Sequence, residues 1–322
     1  MDILIVGTGA LATLFGWRLA AAGHSVTLLG TWDLGIETLR DTGVRLVDAR
    51  GHESALPVRA ITDPRDAAGA RQAIVLVKSW QTARVARQLR ECLAPDGIAV
   101  TLQNGLGNDE ILKHELGTER VTLGTTTTGV TLLGPGLVKP AGEGRITIQA
   151  HPRLKPLKEA LMSSGFTLDV VQDASALIWG KLVVNSAINP LTALLRVQNG
   201  ELLNRPTARA LMRTLAEETA AVARASSVKL ATKDPAGMVE EVARRTAANY
   251  SSMLQDVLRG APTEIDAICG AVTEAGRKTN VRTPVNEACW QLVQALVAGN
   301  SINDNQAEPG HQPLGMLSNP VG

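Results

Sequence analysis

The opening stretch, from Met1 to Leu29, constrains the fold of this chain more than any other. Ile3-Leu4-Ile5-Val6 is a continuous aliphatic and β-branched run, the pattern of a strand buried on both faces of a parallel sheet. It breaks at Gly7-Thr8-Gly9-Ala10-Leu11-Ala12, after which Leu14, Phe15, Leu19 and Ala22 recur at helical spacing. Gly23 suits the end of that helix, and Ser25 to Leu29 reads as a second strand. A glycine-rich turn carries meaning in this strand–turn–helix–strand setting. Gly7 permits the tight turn, Gly9 lets a pyrophosphate approach the backbone, and Ala12 takes the small position between helix and strand. The N–H groups of Ala10, Leu11 and their neighbours open the helix and can face phosphate oxygens. The expected fold class is α/β, with an N-terminal Rossmann-type dinucleotide-binding domain.

In such a domain the end of the second strand selects the cofactor: an acidic residue binds the ribose 2′-hydroxyl of NAD, and a nearby Arg accepts the 2′-phosphate of NADP. Here the chain reads Leu29-Gly30-Thr31-Trp32-Asp33. Thr31 can donate one hydrogen bond and Arg40 could fold back, so the residues leave the choice open. Further strands are expected at Ala73 to Val77, Gly97 to Leu102, Gly124 to Thr131, Gly144 to Gln149 and Phe166 to Val171, with Pro135-Gly136 as a turn and a helix over Leu154 to Met162. Lys78 and Asn104 fall at the carboxyl ends of two strands, where open α/β sheets bind ligands. Each has a plainer reading, Lys78 as a solvated loop lysine and Asn104 as half of an Asn-Gly turn.

After Asp173 strand-like runs stop, and helical periodicity carries through 175–188, 190–197, 206–228, 235–258, 263–279 and 284–298. The expected division is 1–172 for the dinucleotide domain, 173–298 for an all-helical C-terminal domain, and 299–322 as a mobile tail. Near the start of the helical half lies Trp179-Gly180-Lys181-Leu182-Val183-Val184-Asn185-Ser186-Ala187-Ile188-Asn189-Pro190. Lys181, Asn185 and Asn189 are four residues apart, so each is rotated only about 40° from the last. An ammonium and two carboxamides thus line one stripe of an otherwise apolar helix. Leaving such groups buried and unpaired costs about 1–3 kcal/mol each, so either the protein or a ligand satisfies them. Pro190 is expected to begin a fresh helix with Asn189 near its N-cap, and Asn199-Gly200 to end the next one. Thr263 reads as an N-cap with Glu264 in the first turn, where an acidic residue also suits the helix dipole.

Composition excludes several classes. With 32 basic against 31 acidic residues, there is no field to attract nucleic acid or an anionic membrane. Five Trp, two Phe and one Tyr leave little for base stacking. The three cysteines, Cys92, Cys269 and Cys289, are scattered, which argues against a disulfide framework or a metal site and fits a cytoplasmic setting. No signal peptide and no apolar run of membrane-spanning length is found. Several apolar helix faces in the second half could pair two copies as a homodimer.

The blocks Gly7-Thr8-Gly9-Ala10-Leu11-Ala12, Val77-Lys78-Ser79-Trp80-Gln81, Gln103-Asn104-Gly105, Gly124-Thr125-Thr126-Thr127, Lys181 with Asn185 and Asn189-Pro190-Leu191-Thr192-Ala193, Asn199-Gly200, Ser251 to Asp256 and Thr263-Glu264-Ile265-Asp266 occur in that order. Together they resemble the ketopantoate reductases (2-dehydropantoate 2-reductases). The resemblance implies NADPH-dependent reduction of 2-dehydropantoate, a small 2-keto acid, to (R)-pantoate on the route to pantothenate and coenzyme A. Carried over by position, residues 7–12 hold the pyrophosphate. Lys78, Asn104 and the backbone near Val130 lie along the cofactor, and Glu264 meets it from the helical side. Lys181 becomes the general acid, while Asn185, Asn189, Asn199 and Ser252 hold the substrate, with Asn104 close to both ligands. Thr31 stands where the family commonly has Arg, and Ala12 where it has a third Gly. Three other readings stay open: a related β-hydroxyacid dehydrogenase, a relative acting on another 2-keto acid, and a non-catalytic dinucleotide sensor.

Overall fold

Strand β1 (Asp2–Val6) alternates its contacts across the sheet, and this alternation organises the first half of the molecule. In the computed structural model, which describes residues 1–304 and the side chains through 298, Ile3 and Ile5 join one apolar cluster while Leu4 and Val6 join another. Helices α1 (Ala10–Ala21), α2 (Asp33–Thr42) and α5 (Lys155–Ser163) cover the first face; α3 (Thr82–Cys92) and α4 (Asn108–Leu116) cover the second. The strands between them are β2 (Ser25–Leu29), β3 (Val44–Val47), β4 (Glu53–Leu56), β5 (Arg59–Ile61), β6 (Ala70–Val75), β7 (Leu93–Thr101), β8 (Val121–Thr126), β9 (Gly129–Gly134), β10 (Leu137–Gly142), β11 (Arg145–Gln149) and β12 (Thr167–Val171). Eight of them form one sheet in the order β12-β11-β8-β7-β6-β1-β2-β5. From β5 to β8 all neighbours are parallel; β11 and β12 run the other way. The chain order reverses between β1 and β6, the switch point at which such sheets bind ligands.

A second sheet, β4-β3-β10-β9, lies over the outer side of α1 through Leu14, Leu46 and Val138, with Ala10 and Val130 packed against them. Its strands are short and partly exposed, which explains why residues 44–61 carry little periodic signal. It also divides the single strand expected over Gly124 to Thr131. The Thr126 hydroxyl accepts from the Thr128 N–H at 3.1 Å and donates to the Thr128 hydroxyl at 2.9 Å, closing a turn between β8 and β9. The Pro135-Gly136 turn therefore joins β9 to β10 rather than leading to β11.

The second half is helical: α6 (Ser175–Leu195), α7 (Glu201–Asn204), α8 (Pro206–Ala225), α9 (Pro235–Arg245), α10 (Ser252–Leu258), a π-helical turn (Asp266–Gly270), α11 (Ala271–Thr279) and α12 (Pro284–Asp304). Helix α6 is the axis of this half, packed by α8, α9, α10 and α12. It does not break at Pro190, contrary to expectation. A proline there leaves the Ser186 carbonyl without its helical donor, and the Cys269 thiol reaches that carbonyl at 3.8 Å. Asn189 is thus inside the helix and caps nothing. The helix ends instead at Arg196, in the left-handed region at φ 53°, and Asn199-Gly200 leads into α7 rather than closing a helix. The segment expected as one helix over 235–258 is broken before Ser251, which N-caps α10 by accepting from Leu254 N–H at 3.1 Å. The tail expected from residue 299 begins as the last turns of α12; residues 305–322 lie outside the described residues.

Candidate active site

The turn after β1 is built to leave backbone donors free. Gly7 has φ +132° and donates to the Leu29 carbonyl at 2.8 Å, tying the turn to the end of β2. Gly9 forms the N-cap of α1 with no side-chain cap bond, and the first turn of α1 holds no acidic residue. A Cβ added at Gly9 would meet nothing within 4 Å, so the turn is open on that side, whereas Ala12 is fully buried against the sheet. An uncapped helix N-terminus with an open approach suits an anion.

Across from this edge stands the helical half, and the two are joined at specific atoms. Gly105, at φ +85°, lies so close to the π-helical turn that a Cβ there would overlap the Ala267 carbonyl, which also accepts from Leu106 N–H at 3.0 Å. Inserted π turns are frequent at functional sites, and this one begins two residues after Glu264. The Glu264 carboxylate is buried and accepts from Asn104 Nδ2 at 2.9 Å and from the Ser79 N–H at 3.2 Å, with Lys78 Nζ 3.7 Å away. Lys78 itself donates to buried Asp256 at 2.6 Å, and Arg259 holds the other oxygen of that carboxylate at 2.9 Å. A supporting network fixes the loop bearing Asn104. Asn108 donates to the Asn104 carbonyl at 2.9 Å, Thr82 donates to Asn108 at 2.8 Å, and Gln103 donates to Thr82 at 2.8 Å.

Lys181 crosses back to the sheet, donating to the Thr126 carbonyl at the end of β8 at 2.8 Å. Burial of its ammonium lowers the pKa from 10.5 to about 8, an effect partly opposed by the Glu264 carboxylate. One of its three N–H donors is spent on Thr126, which sets the side-chain direction and leaves two for a ligand. Asn185 and Asn189 follow on the same stripe, and neither side chain has a hydrogen-bond partner in the protein among the described residues. Next to Asn189, Thr192 donates to the Asn189 carbonyl at 3.0 Å and pairs with the Ser251 hydroxyl at 2.7 Å. That pair seats the start of α10 on α6. Asn199 is engaged elsewhere: Nδ2 donates to Thr246 at 2.9 Å, while its buried Oδ1 has no partner.

The structure thus gathers Lys78, Asn104 and Glu264 by direct contact, and Lys181, Asn185 and Asn189 along α6; Ser252 is exposed at the start of α10, with no hydrogen bond to that stripe. Thr31 stands apart at the end of β2, and Val130 lies in β9 against α1. Arg40 does not fold toward Thr31; its Nε donates to the Ala60 carbonyl at 2.9 Å. The expected Thr263 cap is not made: the N-cap of the π turn is Ile265, without a side-chain cap bond, and Glu264 lies just before the turn instead of in its first turn. Sequence reasoning assigned no role to Asp256, the Ser79 N–H or the Thr126 carbonyl. Asp256 was visible only as the end of the Ser251 block, and a backbone group leaves no residue signature. A cavity of about 510 Å³ lies between the Gln103-to-Glu110 segment and α6 and α11, but neither Lys181 nor Glu264 lines it. Among the described residues no group of three or more His, Cys, Asp or Glu is placed to hold a metal ion. No described helix is long and apolar enough to cross a membrane.

A Rossmann-type sheet faced by a helical domain that presents a lysine and carboxamides is the architecture of a two-domain oxidoreductase. Residues 3–153 match the family described as ketopantoate reductase PanE/ApbA, and residues 173–297 match ketopantoate reductase PanE/ApbA C terminal. The 2-dehydropantoate 2-reductase of Halobacterium salinarum is 36% identical over 91% of this chain and 98% of its own. Among solved structures, the PanE/ApbA family ketopantoate reductase from Ralstonia eutropha JMP134 superposes with a TM-score of 0.87 at 29% identity, covering 94% of this chain and 100% of that one. D-mandelate dehydrogenase with NADH and anilino(oxo)acetate superposes equally well, TM-score 0.87 at 26% identity over 94% and 100% of the chains. The chain belongs to the ketopantoate reductase family.

Proposed function

We infer that the protein reduces 2-dehydropantoate to (R)-pantoate, with NADPH preferred over NADH. Residues 1–172 would act as the dinucleotide domain and 173–298 as the substrate domain. The observation that carries this reading is Lys181: a part-buried lysine whose pKa desolvation lowers to about 8, aimed at the carboxyl edge of the sheet by the Thr126 carbonyl. When bound, the nicotinamide dinucleotide supplies a hydride to the keto carbon.

The residues present fit that group. The uncapped start of α1 and the open side of Gly9 suit a pyrophosphate, and Lys78, Asn104 and Glu264 line the way from β6 and β7 to the helical half. The protein's own part is to hold a proton on Lys181 Nζ and give it to the developing alkoxide, whose charge the ammonium also stabilises. Asn185 and Asn189, with no protein partner, supply donors and acceptors to substrate oxygens. Lys78, Arg259 and Lys181 outnumber Asp256 and Glu264, so the cleft keeps positive charge for a substrate carboxylate. The relatives named 2-dehydropantoate 2-reductase support the choice of keto acid.

A second reading, reduction of a different 2-keto acid with NADH, is favoured by Thr31 and by the likeness to D-mandelate dehydrogenase. Oxidation of NADPH and NADH is to be followed against a panel of 2-keto acids that includes ketopantoate and an aryl keto acid. The first reading requires the highest kcat/KM with ketopantoate and NADPH. Faster turnover of the aryl acid with NADH would favour the second. Dinucleotide binding without turnover of any acid would leave a sensor.

A further inference from the structure

We propose that Arg84, on α3, is the residue that reads the 2′-phosphate of NADP(H) in this protein, in place of an arginine after β2. The inference rests on the reading of the cleft as a nicotinamide-dinucleotide site and deepens it by naming what discriminates the two coenzymes. In this fold the adenosine ribose is read at the carboxyl end of β2, which here runs into neutral Thr31. Arg40 is turned to Ala60. The guanidinium that does reach the spot comes from a different element. Arg84 Nη1 donates to Thr31 Oγ1 at 2.6 Å, and Nη2 donates to Gln81 Oε1 at 2.6 Å.

Three features of Arg84 are hard to account for as scaffolding. Both of its partners are neutral, and among the described residues it joins no ion pair. Its Nε–H is buried and has no acceptor. It also sits in the first turn of α3, a turn with no acidic residue, where a cation opposes the helix dipole. A guanidinium oriented by two neutral oxygens, with its charge uncompensated and the second N–H of each terminal nitrogen not engaged by them, is suited to a phosphate dianion. The neutral Thr31 then serves as a rest for the fork, so its presence after β2 is compatible with NADP(H). Asp33, the acidic residue nearest in sequence, opens α2 two positions beyond Thr31.

The test is calorimetric titration of the full chain and of Arg84→Gln and Arg84→Lys with NADPH, NADH, 2′,5′-ADP and 5′-AMP. These last two carry only the adenosine half and differ by the 2′-phosphate. Loss of a charge-assisted hydrogen bond predicts that Arg84→Gln weakens NADPH and 2′,5′-ADP on the order of 10- to 100-fold. NADH and 5′-AMP should stay within about twofold of the parent, which also shows that the variant is folded, and Arg84→Lys should recover part of the loss. Unchanged NADPH and 2′,5′-ADP affinity in Arg84→Gln, or an equal loss for all four ligands, would overturn the assignment of Arg84 alone. A parent chain that binds none of the four would overturn the reading of the cleft itself.

Discussion

Lys181 must be protonated to act as an acid, and burial makes that proton easier to give. With its pKa lowered to about 8, the acid form dominates at neutral pH and is lost above it. Reductive kcat should therefore be flat below about pH 7 and fall close to tenfold per unit above about pH 8; a pH–rate profile checks this. Lys181→Ala should lower kcat by about 10²- to 10⁴-fold while the protein still binds dinucleotide, and near-normal kcat would remove Lys181 from the mechanism. A second residue is also shifted down, but there the charged form is the one favoured and the purpose is structural. Glu240 accepts from Arg209 at 2.8 and 2.6 Å and from Arg213 at 2.9 Å, and these bonds hold its carboxyl down from 4.5 to about 2. A depressed carboxyl stabilises the fold above its unfolded pKa and loses that contribution as pH falls toward 2. Glu240→Gln should cost about 1–3 kcal/mol at pH 7. In urea unfolding at pH 3, the gap from the parent should be visibly smaller.

At the scale of elements, α10 matters more than its length suggests. Ser251 both caps α10 and pairs with Thr192 on α6, so one hydroxyl fixes the start of α10, where Ser252 follows, to the helix that carries Lys181. Ser251→Ala should remove about 1 kcal/mol of capping. If Ser252 holds the substrate as proposed, steady-state kinetics should show KM for the keto acid rising more than kcat falls, because Lys181 is untouched; equal losses would argue against that role. The uninterrupted course of α6 through Pro190 serves the same end. It keeps Asn189 in helical register with Lys181 and Asn185, and the Cys269 thiol occupies the carbonyl that proline leaves open.

For the whole molecule, the cleft is closed by a few contacts between the two halves, chiefly Gly105 on Ala267 and Glu264 with Asn104, Ser79 and Lys78. Gly105 has both a positive φ and no room for a Cβ, so Gly105→Ala should push the Asn104 loop away from the π turn. Expected are a lower Tm and at least a tenfold rise in NADPH Kd, read by thermal melting and fluorescence titration. A variant that matches the parent in both would mean the halves do not depend on this contact. Much of this was legible beforehand where a local pattern suffices. The buried run at Ile3–Val6, the turn at Gly7–Ala12 and the fourfold spacing of Lys181, Asn185 and Asn189 each specify their own geometry within a few residues. The small sheet was not legible, because its strands are short, partly exposed and paired across more than eighty residues of chain, as Arg45 is with Leu137.

What the sequence determined by itself is the set of local conformations and the chemistry available: a strand–turn–helix that can take phosphates, and an apolar helix with one polar stripe. Periodicity and turn residues act over a few positions, so they specify elements without their partners. The tertiary structure decided which groups meet. It brought Glu264 to Asn104 and Ser79, Lys181 to the Thr126 carbonyl, Asp256 to Lys78 and Arg84 to Thr31. Each of these is a contact between residues far apart in the chain, and each depends on burial and packing that no single stretch encodes.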